Sequence, residues 1–144
     1  PEEAIGITLA AQELGMPVVI SFTTETDGRL PNGMLLSDAI NRVDIATNNG
    51  PAYYMINCAH PDHFRQALAT DDNWVKRIRG IRANASRLSH AELDEAKDLD
   101  SGNPQELGAM YQQLRESFPQ LTVLGGCCGT DHRHVEAISY SCCG

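Results

Sequence analysis

The sequence is short of basic residues and has no long apolar run. Lysine and arginine number 11 against 19 aspartate and glutamate residues, so the formal net charge of the 144 residues is -8. A nucleic-acid-binding protein needs a basic patch, and this composition argues against that class. No stretch approaches the ~18 consecutive apolar residues of a membrane span, and no basic-then-apolar signal segment opens the chain. We therefore expect no nucleic-acid partner, no membrane partner and a cytoplasmic location.

The cysteines lack the pattern of a disulfide framework. There are five, an odd number, arranged as Cys58 and the two adjacent pairs Cys127–Cys128 and Cys142–Cys143. Adjacent cysteines bridge each other only through a strained ring, and in a reducing compartment metal binding or catalysis is the more common use. The second pair lies in a Ser-Cys-Cys-Gly end, and we expect residues 139–144 to form a disordered tail without a role in the site.

Strand-like and helical segments alternate along the chain, which predicts the α/β class. The predicted strands are 18–24, 52–57, 78–84 and 121–124. The predicted helices are 1–14, 35–48, a short one from Pro61, one from Pro104 after the cap Asn103, and a last one from Thr130-Asp131, with a helical turn after the capping-box residue Ser89. This order predicts parallel strands joined by right-handed crossovers in a single domain spanning residues 1–144.

Apolar positions predict which sides of these elements are buried. The β-branched run from Val18 to Thr24 is typical of a strand buried on both faces. The apolar faces that the spacing predicts in the helices include one in the first helix and one in the last. Those two faces consist of Ile5, Leu9 and Leu14, and of Val135 and Ile138.

Cys58 and the pair Cys127–Cys128 each follow an apolar strand. Since the carboxyl ends of parallel strands meet at one edge of a sheet, we expect the three thiols to converge there. Three thiolates suit a zinc ion that keeps one coordination position open. Such a zinc is a poor generator of hydroxide but can deprotonate a substrate thiol, which favours alkyl transfer to sulfur.

Other polar residues near these strand ends have more than one interpretation. Four histidines lie at helix starts and are expected on the solvated surface. They are His60, His63, His132 and His134. A role for His132 or His134 as a zinc ligand is disfavoured. Asn57 and Asn84 end two strands and could bind polar groups of a substrate or cap the next loop. The acidic stretch from Glu92 to Asp100 is expected to be a solvated face or part of a mobile lid.

Several motifs resemble the zinc-dependent homocysteine S-methyltransferase family, whose members use betaine, S-methylmethionine or a methylated folate as methyl donor. The main ones are Gly125-Gly-Cys-Cys-Gly-Thr130 and Ile56-Asn-Cys58. Ser21-Phe-Thr-Thr24, Asp27-Gly-Arg-Leu30 and Asn57-Cys-Ala-His-Pro61 look like the bacterial members related to S-methylmethionine enzymes. The resemblance extends from the first helix to about Ile138.

The resemblance implies a fold, a cofactor and a reaction. The family fold is a (β/α)8 TIM barrel, of which this chain matches only the carboxyl-terminal half, strands five to eight. The implied zinc ligands are Cys58, Cys127 and Cys128. The implied reaction is methyl transfer from a donor such as S-methylmethionine or betaine to homocysteine, giving methionine. It assigns no catalytic side chain and no substrate-binding residue in this chain.

A half-barrel has two unpaired sheet edges and uncovered apolar surface. We therefore expect a partner, either an amino-terminal half-barrel or a second copy of the chain. Two alternatives to the enzyme remain open: a non-catalytic zinc-binding half-barrel that assembles or regulates, and a protein in which zinc is purely structural.

Overall fold

The computed structural model describes residues 1–144 and contains one sheet with flanking helices. The helices are α1 (Glu2–Glu13), α2 (Leu36–Thr47), α3 (Pro61–Phe64), α4 (His90–Glu95), α5 (Pro104–Ser117) and α6 (His132–Cys143), with a 3-10 helix at Asn73–Arg77. The strands are β1 (Val19–Thr23), β2 (Tyr53–Asn57), β3 (Ile78–Ala83) and β4 (Val123–Gly126). No helix combines the length and the apolar composition needed to cross a membrane.

The four strands are parallel and lie in the order β1-β2-β3-β4. The predicted α/β class and element order are thus confirmed, and the arrangement is consistent with half of an α/β barrel. β1 and β4 are the two edge strands. All carboxyl ends lie at one edge of the sheet, because the strands are parallel.

One face of the sheet carries the core and the other is open. In β1 the side chains of Ile20 and Phe22 are buried, whereas Val19 and Ser21 are exposed. Phe22 stacks on Tyr54 of β2. The prediction that the first strand is buried on both faces is therefore wrong, because no element of this chain covers the face that bears Val19. We call this open side the concave face.

Helix α1 is buried through small side chains rather than through its predicted apolar stripe. Ala4 and Thr8 are the buried positions, while Leu9 is 43% and Leu14 75% exposed. The Thr8 hydroxyl donates to the Ala4 carbonyl within the helix (2.7 Å), so it is satisfied without water. The prediction that Leu9 and Leu14 are buried is wrong, because α1 contacts the rest of the domain through its small residues Ala4 and Thr8.

The chain end belongs to a helix, which corrects the predicted tail at 139–144. Helix α6 continues to Cys143 and packs against α5. The contact is close at Gly108, where an added Cβ would lie 2.7 Å from the Ala137 carbonyl oxygen. Arg115 of α5 donates to the Cys142 carbonyl oxygen. This packing also decides the inner face of α6: Ile138 is buried as predicted.

Two further predictions about the last elements need correction. Val135 is 53% exposed, because the side of α6 that meets α5 lies at Ile138 and not at this position. The strand predicted at 121–124 begins and ends two residues later, at Val123–Gly126. Its two glycines have low strand propensity, but Gly125 and Gly126 pair with Arg82 and Ala83 of β3, and this ladder extends the strand.

Candidate metal centre

Three cysteine thiols meet at the carboxyl edge of the sheet. The Sγ atoms of Cys58, Cys127 and Cys128 all lie within 4.8 Å of one another. Cys58 and Cys127 are half-buried, and Cys128 is exposed. The convergence expected from the two strand ends is therefore present, and one side of the cluster is open.

The backbone turns sharply at Cys58. Its amide still donates to the Arg82 carbonyl oxygen of β3 (3.1 Å), which continues the sheet pairing. Its φ is 55°, in the left-handed region. A residue with a Cβ pays about 1–2 kcal/mol for that conformation, so surrounding contacts must hold it. The next residue stays bonded to the end of β3, because the Ala59 carbonyl oxygen accepts from the Asn84 amide (3.1 Å).

The loop with the other two thiols is fixed by hydrogen bonds to the end of β3. The Cys127 amide donates to the Ala83 carbonyl oxygen (2.8 Å), and the Cys128 amide donates to Asn84 Oδ1 (3.1 Å). The Ala85 amide in turn donates to the Cys128 carbonyl oxygen (3.0 Å). Of the two interpretations for Asn84, the structure therefore shows loop capping. The side chain is buried beside the thiols and holds their loop.

The Asn57 carboxamide is bound on the concave face one residue before Cys58. Its Oδ1 accepts from the Ser21 hydroxyl, and its Nδ2 donates to the Thr23 hydroxyl (3.0 Å). The amide thus links the ends of β1 and β2. It lies next to the cysteine that begins the site.

His90 connects the site to the loop after β1, a contact that the sequence reasoning missed. One ring nitrogen contacts the Cys58 carbonyl oxygen, and the other contacts Glu25 Oε2 (3.0 Å). Both partner atoms are acceptors, an arrangement that favours a proton on each ring nitrogen. Burial lowers the pKa of His90, but the hydrogen bonds to Cys58 and Glu25 outweigh burial and leave it raised.

Two of the four helix-start histidines are not on the surface, which corrects that expectation. His134 is fully buried, with Nε2 donating to the Ser101 carbonyl oxygen (2.7 Å) and Nδ1 accepting from the Asp131 amide (3.1 Å). His60 is also buried, and burial lowers its pKa to about 4 although Asp62 opposes the shift. The ring is therefore neutral near pH 7.

The remaining two histidines fit the surface expectation. His132 is exposed, and half-buried His63 contacts the Arg87 carbonyl oxygen (3.0 Å). No histidine belongs to the group of residues that could hold a metal ion. The donor set is therefore all sulfur.

The geometry and the donor type fit zinc. A tetrahedral site with Zn–S bonds of about 2.3 Å separates its sulfur atoms by about 3.8 Å, so thiols within 4.8 Å of one another need only small side-chain movements. Burial and the neighbouring Cys127 thiol raise the pKa of Cys58. The metal-free thiol is thus protonated near pH 7, and a metal ion must displace its proton.

The acidic stretch after Ser89 is largely exposed. Ser89 and Glu92 form the predicted capping box at the start of α4, and no residue of that helix is buried. Further along, Asp100 accepts from the buried Ser86 hydroxyl, which ties the stretch to the loop after β3. Its acidic side chains are otherwise exposed, in agreement with a solvated face.

Comparison with known proteins gives one match. A family model described as homocysteine S-methyltransferase matches residues 1–142. No curated protein and no solved structure matches the chain.

Proposed function

The chain belongs to the homocysteine S-methyltransferase family, and on that premise we propose that it supplies the metal half of a methyltransferase site. The reaction transfers a methyl group from a small donor to the thiolate of homocysteine and gives methionine. The observation that carries the proposal is the meeting of the Cys58, Cys127 and Cys128 thiols within 4.8 Å. Family membership supplies the reaction class, and the cluster supplies a place for it.

The three cysteines are the proposed zinc ligands. Zinc bound by three thiolates would supply an open position for the homocysteine sulfur and lower the pKa of its thiol. The cluster is accessible to a substrate on the side of Cys128, which is exposed. No general base would be required from the chain, because bound zinc would lower the pKa of the substrate thiol enough for its proton to leave to solvent.

The transfer balances without an oxidant or reductant. The homocysteine sulfur forms a bond to the methyl carbon, and the bond from that carbon to a positively charged nitrogen or sulfur of the donor breaks. The leaving group keeps the electron pair and departs neutral. S-methylmethionine and betaine are donors of this kind. Since charge is neutralised in the step, a site that excludes water favours it.

The open side of this half-site supports a proposed partner. The concave face and the two edge strands are uncovered, with Val19 of β1 and Val123 of β4 each 38% exposed. A closed barrel has no free edges. An amino-terminal half-barrel or a second copy would pair with these strands and close the site over the thiols. The five free cysteines fit a reducing compartment, and we propose the cytoplasm.

A non-catalytic zinc-binding half-barrel is the second candidate. The uncovered edges favour it, because a half-site open to water on one side can bind metal without carrying out the transfer. The two candidates differ in what homocysteine does at the site. A catalytic site binds it and forms methionine, whereas an assembling or regulatory half-barrel, or a structural zinc site, leaves it unchanged.

The test is an assay of the zinc-loaded chain with homocysteine and each donor, with and without a supplied amino-terminal half-barrel. Methionine is measured by mass spectrometry with a methyl-labelled donor. We expect labelled methionine in at least the complemented reaction and none with Cys127→Ser. Complemented protein that binds zinc and homocysteine yet forms no methionine with any donor would favour the non-catalytic candidate.

A further inference from the structure

The His90 side chain joins three separate segments at the carboxyl edge of the sheet. His90 is the first residue of α4, Glu25 lies in the loop after β1, and Cys58 follows β2. The contact with Glu25 spans 65 positions in the sequence. The acceptor at the other end is the backbone carbonyl of a cysteine in the thiol cluster. A single side chain thus connects a carboxylate to the backbone of the site.

Helix α4 has little else to hold it in this place. None of its residues is fully buried and only Leu93 among its apolar residues is half-buried, so apolar packing contributes little to its position. The capping box of Ser89 and Glu92 stabilises the helix internally but makes no bond to the sheet. The contacts of His90 attach the first turn of α4 to the ends of β1 and β2.

Cys58 is the residue whose backbone most needs such support. Its φ of 55° is in the left-handed region, which costs a residue with a side chain about 1–2 kcal/mol. The sheet fixes the amide on one side of the residue, through the Arg82 carbonyl oxygen. His90 binds the carbonyl on the other side. The two bonds together restrain both peptide groups that flank the Cys58 side chain.

We propose that His90, held in place by Glu25, is a positioning residue for the metal site. Its bond to the Cys58 carbonyl fixes the left-handed backbone that directs the Cys58 thiol toward Cys127 and Cys128. The inference rests on the proposed function for the identity of the ligands. It assigns to this chain a support outside the thiols, and it implies that loss of the support weakens metal binding while the thiols remain.

The experiment measures Zn2+ and Co2+ affinity of the full chain by competition with a chromogenic chelator. Residues in hydrogen-bond contact with metal ligands typically contribute 10- to 100-fold to metal affinity, so we expect a loss of about that size in His90→Ala. His90→Gln retains a donor for the Cys58 carbonyl and should recover part of the loss. In the Co2+ protein, His90→Ala should also lower the sulfur-to-cobalt charge-transfer absorption, as expected if the Cys58 thiol is bound less well.

His63→Ala is the matched control. His63 also contacts a backbone carbonyl of a neighbouring loop, that of Arg87, but the carbonyl belongs to no cysteine. We expect its metal affinity to stay within about twofold of the wild type. Glu25→Ala is a second variant in case His90→Ala does not fold, because Glu25 is a partly exposed loop residue and its loss removes only one of the two contacts of His90. It should give a smaller loss than His90→Ala.

Each outcome decides one claim. Wild-type chain that binds neither metal would overturn the proposed function itself. Wild-type binding with His90→Ala and Glu25→Ala both unchanged would overturn only the role of His90. An equal loss in His63→Ala and His90→Ala would show a general effect of the loops and would also contradict the positioning role.

Discussion

The backbone amide of Cys128 donates to the side-chain oxygen of Asn84 at 3.1 Å. Asn84 is buried at the end of β3, between the two strands that carry the thiols. Loss of this acceptor leaves the amide of a candidate ligand without its partner. We expect Asn84→Ala to lower the free energy of unfolding by about 1–3 kcal/mol and to weaken metal binding.

Urea unfolding and chelator competition measure the two effects of Asn84→Ala. Asn41→Ala, at an exposed position of α2, is the control and should change neither quantity. Wild-type metal affinity in Asn84→Ala would show that the thiol loop holds its shape without the asparagine.

Two glycines that flank the thiol pair, Gly125 in β4 and Gly129 after Cys128, should respond differently to alanine. Gly129 has φ 76°, and an added Cβ would collide with the Asp100 carbonyl oxygen. Gly129→Ala should therefore cost more than the about 1–2 kcal/mol of a left-handed alanine alone. At Gly125 an added Cβ would lie at an ordinary 3.7 Å from Arg82 Cγ, so Gly125→Ala should be tolerated. Thermal unfolding compares them, and equal melting temperatures would contradict the described loop.

The separate roles of the cysteines are tested by metal content. We expect one zinc per chain in the wild type and in Cys142→Ser and Cys143→Ser, because those residues lie at the end of α6 and outside the thiol cluster. Cys58→Ser, Cys127→Ser and Cys128→Ser should each lose most of the zinc. Elemental analysis of the purified variants is the measurement. Full zinc content in Cys58→Ser, or lost zinc in Cys142→Ser, would contradict the assignment.

Metal affinity should rise with pH near neutrality. Burial, with a further contribution from Cys127, raises the pKa of Cys58, so a proton must leave that thiol before it can bind zinc. The metal-free thiol holds this proton at all pH values below its raised pKa, and affinity falls as pH decreases in that range. Chelator competition from about pH 6 to about pH 8.5, a range that lies below the raised pKa of Cys58, gives the dependence. A pH-independent affinity would contradict protonated thiols.

Much of the fold and of the thiol cluster could be predicted because the signals are local. Parallel order follows from alternating strands and helices, and the cluster follows from cysteines directly after two strands. The helix ends with clear caps, at Ser89, Asn103 and Asp131, were also readable from the sequence. Each of these depends on neighbouring residues or on a rule for strand ends.

The parts that could not be predicted depend on contacts between distant segments. His90 and Glu25 are 65 positions apart, and only the capping box at Ser89 indicated that His90 begins a helix. His134 is buried because its ring binds Ser101, which is 33 positions earlier. The exposure of Leu9 follows from the small-residue contact of α1, which hydrophobic spacing does not reveal.

The most direct test of the central claim is X-ray absorption at the zinc edge, recorded on the zinc-loaded protein before and after homocysteine is added. The account predicts three sulfur scatterers and one oxygen or nitrogen scatterer at first, from the thiols of Cys58, Cys127 and Cys128 and a light ligand. Homocysteine should replace the light scatterer with a fourth sulfur and release about one proton. An unchanged three-sulfur environment with homocysteine bound would contradict the account and leave the metal a structural role.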